Sequence, residues 1–429
     1  MNPKLFLTLF FLFFVLCSCG GEHEPALPAS AAETGYAPED WEYVEADDKP
    51  CPDNCIDGGK QLQYDGGRLY FLNGSNGKRD QTLMTLNLKT GMITSVCPDP
   101  LCDHATPDCP FYGIVPLFYV CDGKIFYKRM TSYTYRNPDG TPRYRVDIQD
   151  SVFYDTESGK VHVLETYDKK GFSDYTLQLF YNGRRYYCDH VYSEELDKYI
   201  LKICRLDIAS EKSVVIGGEN NADGVFERFL FVLNERIYFT DGVRLYSRTL
   251  ENTDEITHST GQFDNVAMTD GTDIFFDRRA DGTLDVYRMT DPNDAESAAR
   301  IIEGCTNWTL TGRYIYYLDG QTRSAGKNRL DGYDGDEVEL YGKELRRCAH
   351  DGLGDELVFS FEGDYGSWQI RHWLAVDNYI YGLFTRYDDV NGDGAIDDGE
   401  VMKSDADGRF GIMRIDVENG SVRILETDS

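Results

Sequence analysis

Val266-Ala267-Met268-Thr269-Asp270-Gly271-Thr272-Asp273-Ile274-Phe275-Phe276 decides how this chain is read. A short apolar strand runs into Asp-Gly, and a strand of Ile-aromatic-aromatic comes out. Asp-Gly suits a tight hairpin because such a turn needs positive φ, which Gly adopts freely and Asp tolerates. The same signal recurs outward from this stretch. Upstream it appears at Leu62-to-Asp65-Gly66 then Leu69-Tyr70-Phe71, Phe118-to-Asp122-Gly123 then Ile125-Phe126-Tyr127, Leu179-to-Asn182-Gly183 then Tyr186-Tyr187, and Phe231-to-Asn234 then Ile237-Tyr238-Phe239. Downstream it appears at Trp308-to-Thr311-Gly312 then Ile315-Tyr316-Tyr317, and at Trp373-to-Asp377-Asn378 then Ile380-Tyr381.

A third alternating strand follows most copies and ends in a polar turn, as in Leu83-Met84-Thr85-Leu86-Asn87 or Ile412-Met413-Arg414-Ile415-Asp416. A short fourth strand usually comes next, as in Val422-Arg423-Ile424-Leu425. Four antiparallel strands repeated along a chain are the pattern of β-propeller blades. The turns recur about every 52 residues, above the ~40–45 typical of such blades, so several blades should carry loop insertions. The expected fold is all-β: a seven-bladed propeller of four-stranded antiparallel blades. Two β-sandwiches are the alternative, but they have no reason to repeat one turn-plus-aromatic signal seven times. The repeats resemble the tyrosine-rich, YWTD-like propeller repeats of bacterial surface lipoproteins, in degenerate form, over roughly residues 60 to 429. The tyrosines and phenylalanines read first as residues that fill the gaps between twisted sheets. A carbohydrate platform would need exposed rings on one face.

The chain has 429 residues, with 43 Lys and Arg against 74 Asp and Glu, for a net charge of −31. Such acidity excludes nucleic acid as a partner, because phosphate contacts need clustered Lys and Arg. It also excludes unaided adhesion to anionic lipid. Thirty tyrosines and 13% aromatic content set the chain apart from disordered acidic segments.

The address lies at the start. Lys4 precedes an apolar run from Leu5 to Leu16, broken only by Thr8 and ending in Leu16-Cys17-Ser18-Cys19-Gly20. The run is too short to span a bilayer and suits a secretory signal. Its end resembles the bacterial lipoprotein signal, with Leu three residues before a Cys and a small residue just before it. That resemblance implies cleavage before Cys19 and a lipid on the Cys19 thiol. The expected organisation is a signal at 1–18, lipidated Cys19 and a Gly/Glu/Pro/Ala/Ser tether over 19–42, and the propeller over 43–429. The protein is then expected on the extracytoplasmic side of the cell membrane, held by its acyl chains.

Removing Cys17 and Cys19 from the twelve cysteines leaves ten, an even number that suggests disulfides in an exported chain. Cys188 and Cys204 are equidistant from Leu196, the centre of a polar turn, and are expected to face each other as a cross-strand bridge. Cys51 with Cys55, and Cys305 with Cys348, are further pairings open at this stage. Cys97-Pro98-Asp99-Pro100-Leu101-Cys102-Asp103-His104 continues to Cys109-Pro110. Here Cys97, Cys102, His104 and Cys109 read either as disulfide partners, with Cys121 as a fourth thiol, or as a Cys₃His zinc site. The oxidising compartment favours disulfides, with zinc the second reading.

Residues 389–400, Asp389-Val390-Asn391-Gly392-Asp393-Gly394-Ala395-Ile396-Asp397-Asp398-Gly399-Glu400, resemble the twelve-residue EF-hand calcium loop at every diagnostic position. The resemblance assigns side-chain oxygens of Asp389, Asn391 and Asp393, the Ala395 carbonyl, Asp397 through a water, and both oxygens of Glu400. Gly394 stands where the loop turns sharply, and Ile396 is its apolar anchor. The flanks depart from the family, since Tyr379–Phe384 reads as strand. A structural calcium in the last blade is therefore expected, not a helix-opening switch. Asp331-Gly332-Tyr333-Asp334-Gly335-Asp336-Glu337 lacks full loop spacing and reads as a solvated insertion.

No Walker-type loop, G-x-S-x-G elbow or H-E-x-x-H is present, and His162, His190, His258, His350 and His372 stand singly. The weight of the sequence is against an enzyme. The expected function is a membrane-anchored propeller that binds an extracellular protein or glycan. A carbohydrate-active enzyme using carboxylates at the propeller channel is the alternative.

Overall fold

The computed structural model describes residues 38, 40–52, 54, 56–57, 61–73, 82–99, 102, 109–111, 114–136, 142–167, 171–193, 198–217, 228–240, 244–250, 257–262, 266–292, 294, 297–328, 337–389, 391–393, 395–396, 401–403 and 409–428. The signal and Cys19 lie outside them.

The described chain is all-β. A two-residue strand, β1 (Ile56–Asp57), precedes a series of antiparallel meanders. The first is β2 (Leu62–Asp65), β3 (Arg68–Asn73), β4 (Thr82–Asn87) and β5 (Ile93–Ser95). The second is β6 (Ile114–Cys121), β7 (Lys124–Arg136), β8 (Pro142–Asp155) and β9 (Lys160–Tyr167). The third is β10 (Gly171–Tyr181), β11 (Arg184–Ser193), β12 (Lys198–Asp207) and β13 (Lys212–Gly217), with β1 added at its β10 edge. The fourth is β14 (Arg228–Leu233), β15 (Arg236–Thr240), β16 (Arg244–Thr249) and β17 (Thr257–Gln262).

The next two meanders share a strand. β18 (Ala267–Thr269), β19 (Ile274–Ala280) and β20 (Thr283–Met289) lead to the long β21 (Ala298–Leu310), whose first half pairs with β20. The second half of β21 pairs with β22 (Tyr314–Asp319) and so opens the following meander. A hairpin, β23 (Thr322–Asn328) and β24 (Glu337–Tyr341), is inserted before β25 (Glu344–Ala349) and β26 (Glu356–Ser360) complete it. The last meander is β27 (Trp368–Val376), β28 (Tyr379–Tyr387), β31 (Arg409–Asp416) and β32 (Val422–Asp428). Between β28 and β31 lie β29 (Ala395–Ile396) and β30 (Val401–Lys403).

The turn chemistry shows why these hairpins form. Central pairs Gly66-Gly67, Asp122-Gly123, Asn182-Gly183 and Asn234-Glu235 all have positive φ, between 48° and 78°. That is the two-residue geometry whose twist matches paired strands. In the first copy the turn is Gly66-Gly67, one residue later than Asp65-Gly66. After β18 and in the middle of the β21–β22 hairpin the loops are four residues long, since Thr269 pairs with Ile274 and Leu310 with Ile315.

The Ile/Leu-aromatic-aromatic triplet has one structural meaning throughout. Successive strand residues point to opposite faces. Ile125 and Tyr127 therefore join a core with the first meander, and Phe126 joins a core with the third. Ile274 and Phe276 pack back on the fourth meander, and Phe275 packs forward against β21 and β22. Ile315 and Tyr317 pack back, while Tyr316 packs forward on the last meander. Each core thus joins one sheet to the next. The series closes on itself: Tyr379, Tyr381 and Leu383 of β28 share a core with Leu69, Phe71 and Leu86 of the first meander. Truncating one of these buried rings to Ala costs about 3–5 kcal/mol by the lost transfer and the cavity left. Arg185 is the exception. It stands where Ile125 stands one meander earlier, and it is 1% exposed. Its guanidinium lies over the Tyr187 ring at 4.4 Å, and Gln178 Oε1 accepts its Nε–H at 2.5 Å.

The Cys188–Cys204 bridge is not formed. Cys188 pairs with Ile203 and Cys204 with Tyr187, one residue out of the register that Leu196 as turn centre implies. A one-residue offset sends side chains to opposite faces. Cys188 accordingly packs toward the fourth meander and Cys204 toward the second. Cys305 and Cys348 are both buried in one core, without a bridge. Cys55 lies outside the described residues.

Candidate functional site

An antiparallel meander puts the turns after its first and third strands at one end. The loop after its second strand, and the link to the next sheet, fall at the other end. The two ends of this molecule are occupied very differently.

The first-turn end is crossed by residues 40–57, which act as a strap. Trp41 enters at the rim, its indole N–H bonded to Leu88 O at 2.8 Å and its ring 4.2 Å from the Arg414 guanidinium. Arg414 also donates to Glu42 O at 2.7 Å, and Arg423 to Asp40 O at 3.0 Å. Further in, Tyr43 stacks on Tyr379 and donates its hydroxyl to Asp377, the residue at the β27–β28 turn. Burial and this carboxylate push the Tyr43 phenol far above its ordinary value. Lys49 pairs with the same carboxylate.

Asp48 is buried, accepts the Arg313 N–H at 3.0 Å and the Tyr316 hydroxyl at 3.2 Å, and is raised by burial. Pro50 bridges to Thr311, and Asn54 exchanges side-chain bonds with the Thr269 backbone. Asn54 also bridges to Phe231, and β1 pairs with Leu177 and Gln178. The strap thus runs from the last sheet backwards across the first strands to the third. Beside it, His350 bridges Asp270 and Thr311 O, each at 3.0 Å. The sequence reading began the folded domain at 43 and missed this strap, which has no period. Its one visible signal is Trp41-Glu42-Tyr43, an aromatic pair at the end of a polar stretch.

The other end carries the insertions. The calcium-type loop is there, at the tip of the hairpin in which β30 pairs with Thr385–Tyr387 of β28. Its flanks are strands, as expected. Asp389 Oδ1 accepts the N–H of Gly392 at 2.8 Å and of Asp393 at 3.0 Å. Asn391 Oδ1 accepts the Asp393 N–H, and Asp393 Oδ1 the Ala395 N–H, both at 2.9 Å. The chain reverses at Gly392, with φ +75°. Ala395 and Ile396 are buried; they pair in parallel with Lys327 and Asn328 of the inserted hairpin, and Ile396 packs on Val338 and Leu340. The loop is therefore clamped to an insertion from the preceding meander. Gly394, Asp397 and Glu400 lie outside the described residues, as do Asp331 to Asp336.

The cysteine cluster also sits at this end, in the link from the first to the second meander. The Cys97 and Cys109 sulfurs are 3.9 Å apart, and Cys102 brings a third within 4.8 Å of both. Burial raises the Cys97 thiol, and burial with the neighbouring thiols pushes Cys109 up to about 12. His104 lies outside the described residues. Cys121 is not part of this group. It stands at the far end of β6, roughly 20 Å along the strand at ~3.3 Å per residue.

Buried carboxylates are held by structural donors. Asp277 takes the Trp308 indole N–H at 3.0 Å, Asp285 the Gly304 N–H at 2.9 Å, and Asp273 pairs with Arg288 at 2.5 Å. Asp48 and Asp377 hold the strap.

No family model and no curated protein matches the chain. Among solved structures it is similar to a prolyl endopeptidase studied for inter-domain dynamics, at 11% identity and a TM-score of 0.49, covering 88% of this chain and 50% of that one. It is similar to dipeptidyl peptidase 4 of Porphyromonas gingivalis at 11% identity and 0.42, covering 87% and 60%. It is similar to TolB from Acinetobacter baumannii at 13% identity and 0.34, covering 67% and 62%. The chain spans about half the length of the first of these. The closed series of four-stranded antiparallel meanders is by itself the arrangement of a β-propeller. None of these neighbours lends this chain an activity.

Proposed function

We propose that this protein is a lipid-anchored, extracytoplasmic, seven-bladed β-propeller that offers its insertion-bearing end to an extracellular protein or glycan. The observation that supports this is the division of labour between the two ends. The strap enters at the rim of one end, so a lipid on Cys19 draws that end toward the membrane. The calcium-type loop, the inserted hairpin and the long β7–β8 and β11–β12 hairpins project from the opposite end, where a partner has access. Among the described residues no helix is long and apolar enough to cross a membrane. In this reading the anchor is the acyl chains on Cys19. Calcium bound at 389–400 stiffens the loop against the inserted hairpin and serves structure.

The test uses cells expressing the full chain. Cys19→Ala moves the protein from the membrane fraction to the soluble fraction. On intact cells, an epitope placed in the β7–β8 loop binds antibody, while one placed before Trp41 is shielded. A Cys19→Ala protein that stays with the membrane, or the reverse pattern of epitope access, overturns the reading.

A further inference from the structure

The geometry points to a metal site in the link between the first two sheets: Cys97, Cys102 and Cys109 hold one zinc-class divalent ion as thiolates. Sulfur spacing is the first argument. A disulfide needs about 2.05 Å between sulfurs, and Cys97 and Cys109 stand 3.9 Å apart. Tetrahedral zinc at ~2.3 Å from each sulfur sets its ligands about 3.8 Å from one another. The third sulfur lies within 4.8 Å of both, so all three border one ion-sized space.

The backbone supplies a second argument. Cys97-Pro98-Asp99 and Cys109-Pro110-Phe111 are two copies of one local shape. In each, the N–H two residues ahead donates to the sulfur: Asp99 to Cys97, and Phe111 to Cys109 at 3.3 Å. An N–H aimed at a sulfur is the kind of outer partner that orients a metal ligand. The two copies hang from different sheets. Val96 N–H bonds to Leu83 O at 2.9 Å, tying the first to the first sheet. Pro110 O accepts the Tyr127 hydroxyl, and the Phe111 ring lies 5.0 Å from that of Tyr154, tying the second to the second sheet. An ion between them fastens the two sheets at the end away from the strap.

Thiolates are soft ligands and select zinc over calcium or magnesium, whose oxygen donors the 389–400 loop supplies separately. On binding, three S–H bonds break, three sulfur–metal bonds form, and three protons pass to solvent. No electron moves. The fourth corner of the tetrahedron falls to water. This site is independent of the partner-binding reading.

Elemental analysis of the full chain, purified without chelator, tests it. About one zinc per chain is expected, released by a thiol-specific mercurial. Cys102→Ser, at the half-exposed ligand, removes the metal, whereas Cys188→Ser, at a buried cysteine elsewhere, keeps it. Because Cys102→Ser risks misfolding, cobalt(II) is exchanged into the wild-type protein as a second readout, and a thiolate-to-cobalt charge-transfer band is expected. Wild type without metal, a disulfide between any two of the three in peptide mapping, or no charge-transfer band overturns the proposal.

Discussion

Lys49 and Asp377 are 328 residues apart and form one ion pair, with the Asp377 side chain fully buried and the Lys49 side chain a third exposed. Asp377 sits at the hairpin turn of the last sheet, and Lys49 lies in the strap. The carboxylate also takes the Tyr43 hydroxyl and the Ala46 N–H at 3.0 Å. One buried side chain thus gathers three donors from a segment with no regular structure of its own.

Asp377→Ala should release the strap. Breaking a buried pair strands its partners, and with Lys49 partly solvated the cost is about 2–4 kcal/mol. Urea unfolding reads the loss, and limited proteolysis should cut between residues 40 and 57. A variant as stable and as protease-resistant as wild type sinks this account of the strap.

Gly91 permits the docking of Trp41. Its φ is +70°, and a Cβ there would stand 2.4 Å from the indole ring. Gly91→Ala should therefore displace Trp41 and cost about 1–3 kcal/mol through backbone strain and overpacking. Trp41→Ala combined with Gly91→Ala should relieve the overpacking and leave the backbone cost. Equal stability of Gly91→Ala and wild type would falsify the contact.

Asp393→Ala should abolish calcium uptake by the 389–400 loop. Calorimetry on wild type is expected to show one site in the ~10⁻⁴–10⁻³ M range of extracellular modules. Asp47→Ala, at an exposed strap residue, serves as the acidic control and should bind as wild type does. Identical calcium isotherms for wild type and Asp393→Ala remove the loop from consideration.

Asp270 gives a pH signature. Burial alone would raise it, but bonds from His350 and from the Asp273 and Thr272 N–H groups outweigh burial and hold the carboxyl at about 2, below its ordinary 3.8. A depressed carboxyl adds stability above the unfolded value, and that stability is lost as pH falls from about 4 toward 2. Asp270→Asn should cost about 1–2 kcal/mol at neutral pH, since the group is partly solvated. Thermal melts across pH should show the gap between variant and wild type closing toward pH 2. A gap that stays constant over that range contradicts the assignment.

Much of the architecture was legible because it is written in local terms. Asp122-Gly123 and Asn182-Gly183 declare tight hairpins through backbone sterics alone. Ile125-Phe126-Tyr127 declares a strand buried on both faces, because alternate side chains must each find apolar company. The strand flanks of the calcium-type loop were visible for the same reason.

What the sequence by itself determined, then, is the repeated unit: its turns, its two apolar faces and its fourfold strand count, all set within a few residues. Tertiary structure decided everything that depends on which residues meet at long range. It put Cys188 and Cys204 on opposite faces, because one residue of register outranks symmetry about a turn. It brought Cys97, Cys102 and Cys109 together and left Cys121 a strand's length away. It laid Trp41 to Asp57 across the first strands, an arrangement that no period encodes. The strap's partners lie hundreds of residues off, as Asp377 does from Lys49, so no local pattern encodes them.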